Sequence, residues 1–248
     1  MNETLNVINR LRTIHGNFSK REIDDTDLRI ILESATRAAN ASGRQSYSIV
    51  VTRDKDKMLR LCGYKGSALL LFCVDFNRII DTGKEMGYNF IVSDKIGFIT
   101  GLTDTVLSSQ TAAIAAKSIG IDSLFTNAIH RGDIKRVYEI LNLPQKYCFP
   151  VIALILGYPE KEPESQKGRL KGKGIVHFEN YTKLSKIEIN EIIKEYDQRH
   201  IGLNENWREE GFEHYLDWFY SKWSRDQDIK QLTEILNDIG FILNQRSA

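Results

Sequence analysis

Apolar residues recur along this chain with two periods, and the alternation between them lays out its elements. Over residues 24–39, Leu28, Ile31, Leu32 and Ala35 return at i, i+3, i+4 and i+7, which predicts a helix with one buried face, capped by Asp25 or Thr26. Residues 40–46 are small and polar and read as a turn. The segment YSIVVTRD (47–54) is β-branched and aromatic and predicts a strand. A short helix over 55–62 leads into ALLLFCVD (68–75), a continuous apolar run of strand length that suits a sheet covered on both faces. Residues 97–119 predict a long helix rich in small side chains, with Ser108, Ser109, Ala112, Ala113, Ala115 and Ala116 around its circumference. A helix that is small or apolar all round is buried, either in the monomer core or at a subunit interface. A strand at 123–126, a helix at 133–141 ended by Pro144 and a strand at 149–157 follow.

Beyond Gly157 the pattern changes. Residues 160–174 are polar, bear glycine and proline, and turn from acidic to basic midway, which predicts a surface loop rather than a domain linker. The tail is helical: Ile189, Ile192, Ile193 and Tyr196 form one apolar stripe, and Phe212, Tyr215, Leu216 and Phe219 another. Such stripes are packing faces, and the tail has too little apolar surface to fold alone, so it is expected to wrap its own chain or a partner. The pattern therefore predicts an α+β or α/β arrangement of helices around a mostly antiparallel or mixed sheet. The core domain spans 1–180 and a helical C-terminal arm spans 181–248.

Composition narrows the function by exclusion. The 34 basic and 33 acidic residues leave a net charge of +1, so no global field favours nucleic acid or a membrane surface. The N-terminal MNETLNVINRL lacks a signal-peptide pattern, and no apolar run approaches the roughly 20 residues that span a bilayer. Cys62, Cys73 and Cys148 cannot all pair, and they read as inert core thiols, so a cytoplasmic location is expected. There is no GxGxxG, GxxxxGK[ST], HExxH or CxxC, and the five histidines are scattered, which predicts no metal site. What remains are cationic clusters. Arg10, Arg12, Thr13 and His15 end the first helix, and Lys167 and Arg169 lie in the polar loop. Guanidinium groups beside a hydroxyl can hold a phosphate, although basic residues in such places are more often simply solvated.

Four ordered stretches sharpen this reading. Arg12-Thr13-Ile14-His15 with Phe18 looks like Arg-Ser-Ile-Arg-x-Phe. Ala38 to Tyr47, with Ala38 and Gln45 in place, matches Ala-Pro-Ser-x-x-Asn-x-Gln-Pro-Trp in spacing. Leu71 to Arg78 (LFCVDFNR) is close to a strand ending in Phe-Cys-Ala-Asp-x-x-Arg. Leu156-Gly157-Tyr158-Pro159 followed by Lys167-Gly168-Arg169-Leu170 is similar to Leu-Gly-Tyr-Pro and Lys-Pro-Arg-Leu. Together they resemble the FMN-dependent nitroreductase superfamily over about residues 4–180, closest to its branch of NADPH-preferring oxygen-insensitive nitroreductases and flavin reductases.

The resemblance implies an α+β homodimer that binds FMN at the subunit interface. It would take hydride from NADPH or NADH and pass electrons, by a ping-pong mechanism, to nitroaromatic, quinone or flavin acceptors. No catalytic side chain is required, because flavin N5 carries the chemistry. By the same resemblance Arg12, Thr13 and His15 contact the ribityl phosphate, and Lys167 and Arg169 close on it. Asn40, Ala41 and Ser42 line the flavin edge, and Phe125, Thr126 and Asn127 lie against the ring. His15 replaces the family's second arginine, Asn127-Ala128 replaces a Gly-Gly pair, and Tyr64 or Lys65 takes over a shortened pyrimidine-side segment. Arg208 and Lys222 are the tail cations that could select a nicotinamide 2′-phosphate. Two alternatives share the scaffold: a non-catalytic or degenerate FMN-binding protein, and reductive dehalogenation.

Overall fold

The computed structural model describes residues 2–89, 95–131, 133–162, 168–170, 172–198, 206–223 and 230–241. The chain divides into two compact units, one of residues 1–162 with 228–248 and one of residues 163–227.

The first unit is built on four strands: β1 (Tyr47–Thr52), β2 (Ala68–Asp75), β3 (Asp122–Thr126) and β4 (Cys148–Gly157). They lie in the order β1-β2-β4-β3 with every neighbour antiparallel. The apolar run of β2 is covered on both faces, as its sequence predicts. Leu69, Leu71 and Cys73 enter one cluster with Met58, Leu61, Val137, Tyr138 and Phe149. The alternate residues Ala68, Leu70 and Phe72 enter another, with Ile23, Ile31, Ala112 and Ala116. Two-residue periodicity thus splits one uniform run between two cores.

Helices α1 (Glu3–Asn9), α2 (Asp25–Thr36), α3 (Lys55–Cys62), α4 (Asn77–Glu85), α5 (Lys95–Ser118) and α6 (Lys135–Leu141) surround the sheet. The α2 cap is Asp24, one residue before the expected Asp25 or Thr26. Its carboxylate accepts the Asp27 N–H at 2.8 Å, and this leaves Asp25 and Asp27 in the first turn, where their charge suits the helix dipole. α2 also stops at Thr36, three residues short of the predicted end. The Ala35 and Thr36 carbonyls freed there accept hydrogen bonds from Ser108 Oγ and Gln45 Nε2.

Helices α7 (Lys186–Tyr196) and α8 (Tyr215–Trp223) form the second unit, and α9 (Lys230–Asp238) returns to the first. Ile235, Ile239 and Phe241 join the core there, with the Phe241 ring edge-on to Phe76 at 5.6 Å. In the second unit, α7 starts with a capping box between Ser185 and Glu188. Asp197, just past α7, accepts from His214 Nδ1 at 2.7 Å and from the Tyr215 N–H at 2.8 Å, which ties the two helices together. Among the described residues no helix is long and apolar enough to cross a membrane. The three cysteines are free and buried, and burial pushes the Cys62 thiol up.

Candidate functional site

Two folded junctions explain why the sequence stretches occur together. Phe18 and Pro159 form an antiparallel bridge, the Ser19 N–H donates to the Tyr158 carbonyl at 2.8 Å, and the Arg21 guanidinium lies over the Tyr158 ring at 3.7 Å. Gly157 makes room: an added Cβ would come within 2.8 Å of the Phe18 ring. The first stretch and Leu-Gly-Tyr-Pro are therefore one packing unit. The second junction joins the other two stretches. Arg78 Nη2 donates to the carbonyls of Arg44 and Gln45 at 2.9 and 2.6 Å.

At the β3 edge, Thr13 pairs in parallel with Ser123, and the Ile14 N–H donates to the Ser123 carbonyl at 3.0 Å. Alternation then buries Ile14 and turns Thr13 and His15 toward solvent. The next residue, Gly16, lies beside the Tyr64 ring, 3.5 Å from where its Cβ would stand, whereas Lys65 is exposed. Phe125 and Thr126 are half-buried at the end of β3, and Asn127 is exposed just beyond it. Thr126 Oγ1 accepts the Ala128 N–H at 3.1 Å. Thr13 and His15 thus run along the β3 edge that leads to Phe125, Thr126 and Asn127, and Tyr64 lies beside Gly16.

Arg12 is committed elsewhere. Its Nε lies 3.1 and 3.2 Å from the two oxygens of Asp122, its Nη2 lies 2.6 Å from Asp122 Oδ2, and the same Nη2 reaches Glu162 Oε2 at 2.7 Å. Lys117 Nζ is 2.5 Å from Asp122 Oδ1. Asp122 is only 2% exposed, so it is a buried carboxylate shared by two cations. Burial alone would push its carboxyl up, but the hydrogen bonds from Arg12 and Lys117 outweigh that and hold it below the usual range. The pattern reading missed Asp122, Lys117 and Glu162. The signal for Asp122 was a lone acid at the head of a strand otherwise apolar or small.

Asn40, Ala41 and Ser42 lie at the opposite edge of the sheet, in the loop that enters β1. Three strand spacings of about 4.8 Å separate β1 from β3. One chain therefore does not bring its flavin-edge candidates next to Thr13 and Phe125. The loop carries positive φ at Ser42, Gly43 and Gln45. It is held partly by Asn40 Oδ1, which accepts the Gln45 N–H at 3.2 Å, and by Asp104, a residue that pattern reading also passed over. Lys167 lies outside the described residues. Arg169 belongs to the second unit, where it is exposed and its Nη1 donates to the Gly168 carbonyl at 2.8 Å. In that unit Arg208 stacks on Trp207 at 4.1 Å, and Lys222 is 3.9 Å from Glu210.

No family model matches the chain. An oxygen-insensitive NADPH nitroreductase of Salmonella typhimurium is 26% identical over 207 residues, covering 80% of this chain and 81% of the relative. An FMN reductase (NADPH) of Bacillus subtilis is 26% identical over 191 residues, covering 73% and 75%. The solved structure of NfrA2 from B. megaterium superimposes with a TM-score of 0.85 at 25% identity, covering 99% of this chain and all of the other. Over most of its length the chain is similar to NADPH nitroreductases and FMN reductases, and it shares the fold of NfrA2. The expected α+β fold, with its antiparallel sheet between helices and its helical C-terminal part, is the one observed. For a nitroreductase flavin the donor set fits in kind: hydroxyl and imidazole groups face solvent along β3, and amide and hydroxyl groups line the loop before β1. The misfit is Arg12. With His15 in place of the superfamily's second arginine, the one guanidinium left in that motif is already neutralised by Asp122 and Glu162.

Proposed function

We propose that this chain is an FMN-dependent oxidoreductase that takes hydride from NADPH or NADH and reduces nitroaromatic, quinone or flavin acceptors by a ping-pong mechanism. The observation that carries the reading is the convergence of the four motif stretches on two junctions, Phe18 with Gly157-Pro159 and Arg78 with Arg44-Gln45. Bound FMN would supply the hydride chemistry. The protein supplies position: Thr13 and His15 offer donors to the phosphate and ribityl chain. Phe125, Thr126 and Asn127 back the ring, and Asn40, Ala41 and Ser42 bond its polar edge. Tyr64, beside Gly16, is better placed than exposed Lys65 to complete the pyrimidine side.

The working form is a homodimer. The two candidate edges lie on opposite sides of one sheet, and a second copy brings the missing edge to each. α5 supports this, because its Ile96, Ile99, Val106 and Leu107 are exposed while its other side is buried. Contiguous exposed apolar surface of that kind marks an interface. A cytoplasmic location suits an NAD(P)H-driven enzyme with three free buried thiols.

The test is spectroscopic. The purified protein is expected to be yellow, with bands near those of FMN, and to bleach on adding NADPH or NADH under argon. A colourless protein that takes up no added FMN would sink the reading. One observation favours the second reading, a weak or non-catalytic flavin carrier: the Arg12 guanidinium is already engaged by two carboxylates. Yellow protein that does not bleach identifies that case. The Lys167→Ala/Arg169→Ala double variant is expected to lose FMN during purification, and full retention of colour would remove both from the phosphate.

A further inference from the structure

Between Lys95 and Lys117, Asp104 is the only charged residue of α5, and it is 2% exposed. A carboxylate buried in the middle of a helix is costly unless its oxygens are hydrogen-bonded. Asp104 spends both oxygens on main chain far away in sequence. Oδ1 accepts the Ala41 N–H at 2.9 Å, and Oδ2 accepts the Ser46 N–H at 3.2 Å. These two amides are the two ends of the loop that carries Ser42, Gly43 and Gln45 in left-handed backbone.

The neighbouring positions on this helix face pack against the loop's end and against the end of α2. One turn earlier, Gly101 has no side chain, and an added Cβ would lie 3.3 Å from the Ser46 carbonyl oxygen and 2.7 Å from Val74. One turn later, Ser108 Oγ donates to the Ala35 carbonyl at 3.0 Å. From α4, Arg78 donates to the carbonyls of Arg44 and Gln45. The loop's end amides go to an acid and its middle carbonyls to a base.

We infer that Asp104 is a positioning residue that sets the conformation of the 41–46 loop, and that through it Asn40, Ala41 and Ser42 are presented to the flavin ring. The inference rests on the flavin reading above. Asp104 touches no reacting atom. Non-Gly residues hold positive φ only when their surroundings over-determine them, and the Asp104 and Arg78 bonds supply that constraint here. An amide in place of the carboxylate offers one acceptor, and its NH2 meets the other backbone N–H as donor against donor.

The test compares Asp104→Asn with Ser108→Ala, which removes a hydrogen bond from the same helix face without touching the 41–46 loop. Amide hydrogen exchange on the full-length apo chain comes first. Asp104→Asn is expected to speed exchange at Ala41 and Ser46 by about tenfold or more, and Ser108→Ala is expected to leave both unchanged. Titration with FMN and with riboflavin follows. Asp104→Asn is expected to weaken both by about tenfold with their ratio kept, since the loop serves the ring and not the phosphate. Unchanged exchange at Ala41 and Ser46, or equal weakening of flavin binding by Ser108→Ala, overturns the role of Asp104. If exchange responds as expected but the wild-type chain binds neither flavin, the loop-setting part stands and the flavin reading fails. If Asp104→Asn does not fold, Asp104→Glu provides the same readouts, with restored protection of at least one amide expected.

Discussion

The loop before β1 and the Arg12 cluster on β3 both fix main chain near the candidate site, yet they use different physics. The loop is held by hydrogen bonds between side chains and backbone: Asp104 takes its end amides and Arg78 its middle carbonyls. Each bond is directional, and together they select one conformation with three left-handed residues. The Arg12 cluster is held by charge balance, two cations on one buried carboxylate with Glu162 at the rim. Its geometry is less restrictive, but each member depends on the others staying ionised. A hydrogen-bonded loop is a shape device, whereas a charge cluster responds to pH and to an incoming anion.

The largest effect should separate the two regions outright. Asp122→Ala leaves Arg12 and Lys117, which are 19% and 14% exposed, without their shared counter-charge. Breaking a buried pair from one side costs about 3–5 kcal/mol, and a urea midpoint that falls while the slope is unchanged is the expected signature. A midpoint close to wild type would show that the cluster carries no net stability. Asp104→Ala is the matching test on the loop: the buried Ser46 amide and the half-buried Ala41 amide lose their acceptor, at a cost of roughly 1–3 kcal/mol overall because the loop can partly turn to water. Arg78→Met should cost less, about 1 kcal/mol, since Arg78 is exposed and water replaces its two donations.

Acid sharpens the comparison further. Asp122 titrates below its ordinary value of 3.8, so its contribution is fully present above that value and is lost as pH falls through the lowered pKa. Wild-type stability should therefore drop steeply at the acid end, and Asp122→Asn should flatten that limb; a wild-type curve already flat there contradicts the assignment. The smallest effect lies in the second unit. The Asp197 hydrogen bond raises His214 above its ordinary 6.5, so its contribution is complete below 6.5 and fades as pH rises through the raised value. Proton NMR of the His214 ring should give a midpoint above 6.5, and Asp197→Asn should lower it.

Much of the first unit was legible from pattern. β2 and α3 run over the residues that periodicity assigned, because an uninterrupted apolar run and a capped amphipathic turn leave few alternatives. The α2 cap was misplaced by one residue because Asp24, Asp25 and Thr26 are all competent caps and only backbone angles choose among them. The candidate site is legible in the sequence only as contiguous stretches, such as Thr13 to Phe18, whose bridges to Ser123 and Pro159 the fold supplies. Its supports were not: Ala41 and Asp104 are 63 residues apart, and Arg12 and Asp122 are 110 apart, so no local period connects them. Arg12 illustrates the limit well. Its residue type and place beside a hydroxyl suggested an anion site, but a buried acid more than a hundred residues away already occupies it.

The bare backbone at Gly101 also bears on how this enzyme could be changed. With Val74 on one side and the Ser46 carbonyl on the other, the gap between α5 and the loop admits no side chain, so the separation is fixed by atomic contact. A library aimed at a new acceptor should therefore leave 101, 104 and 108 untouched and vary Thr13 and Asn127, whose side chains meet solvent and carry no part of that spacing.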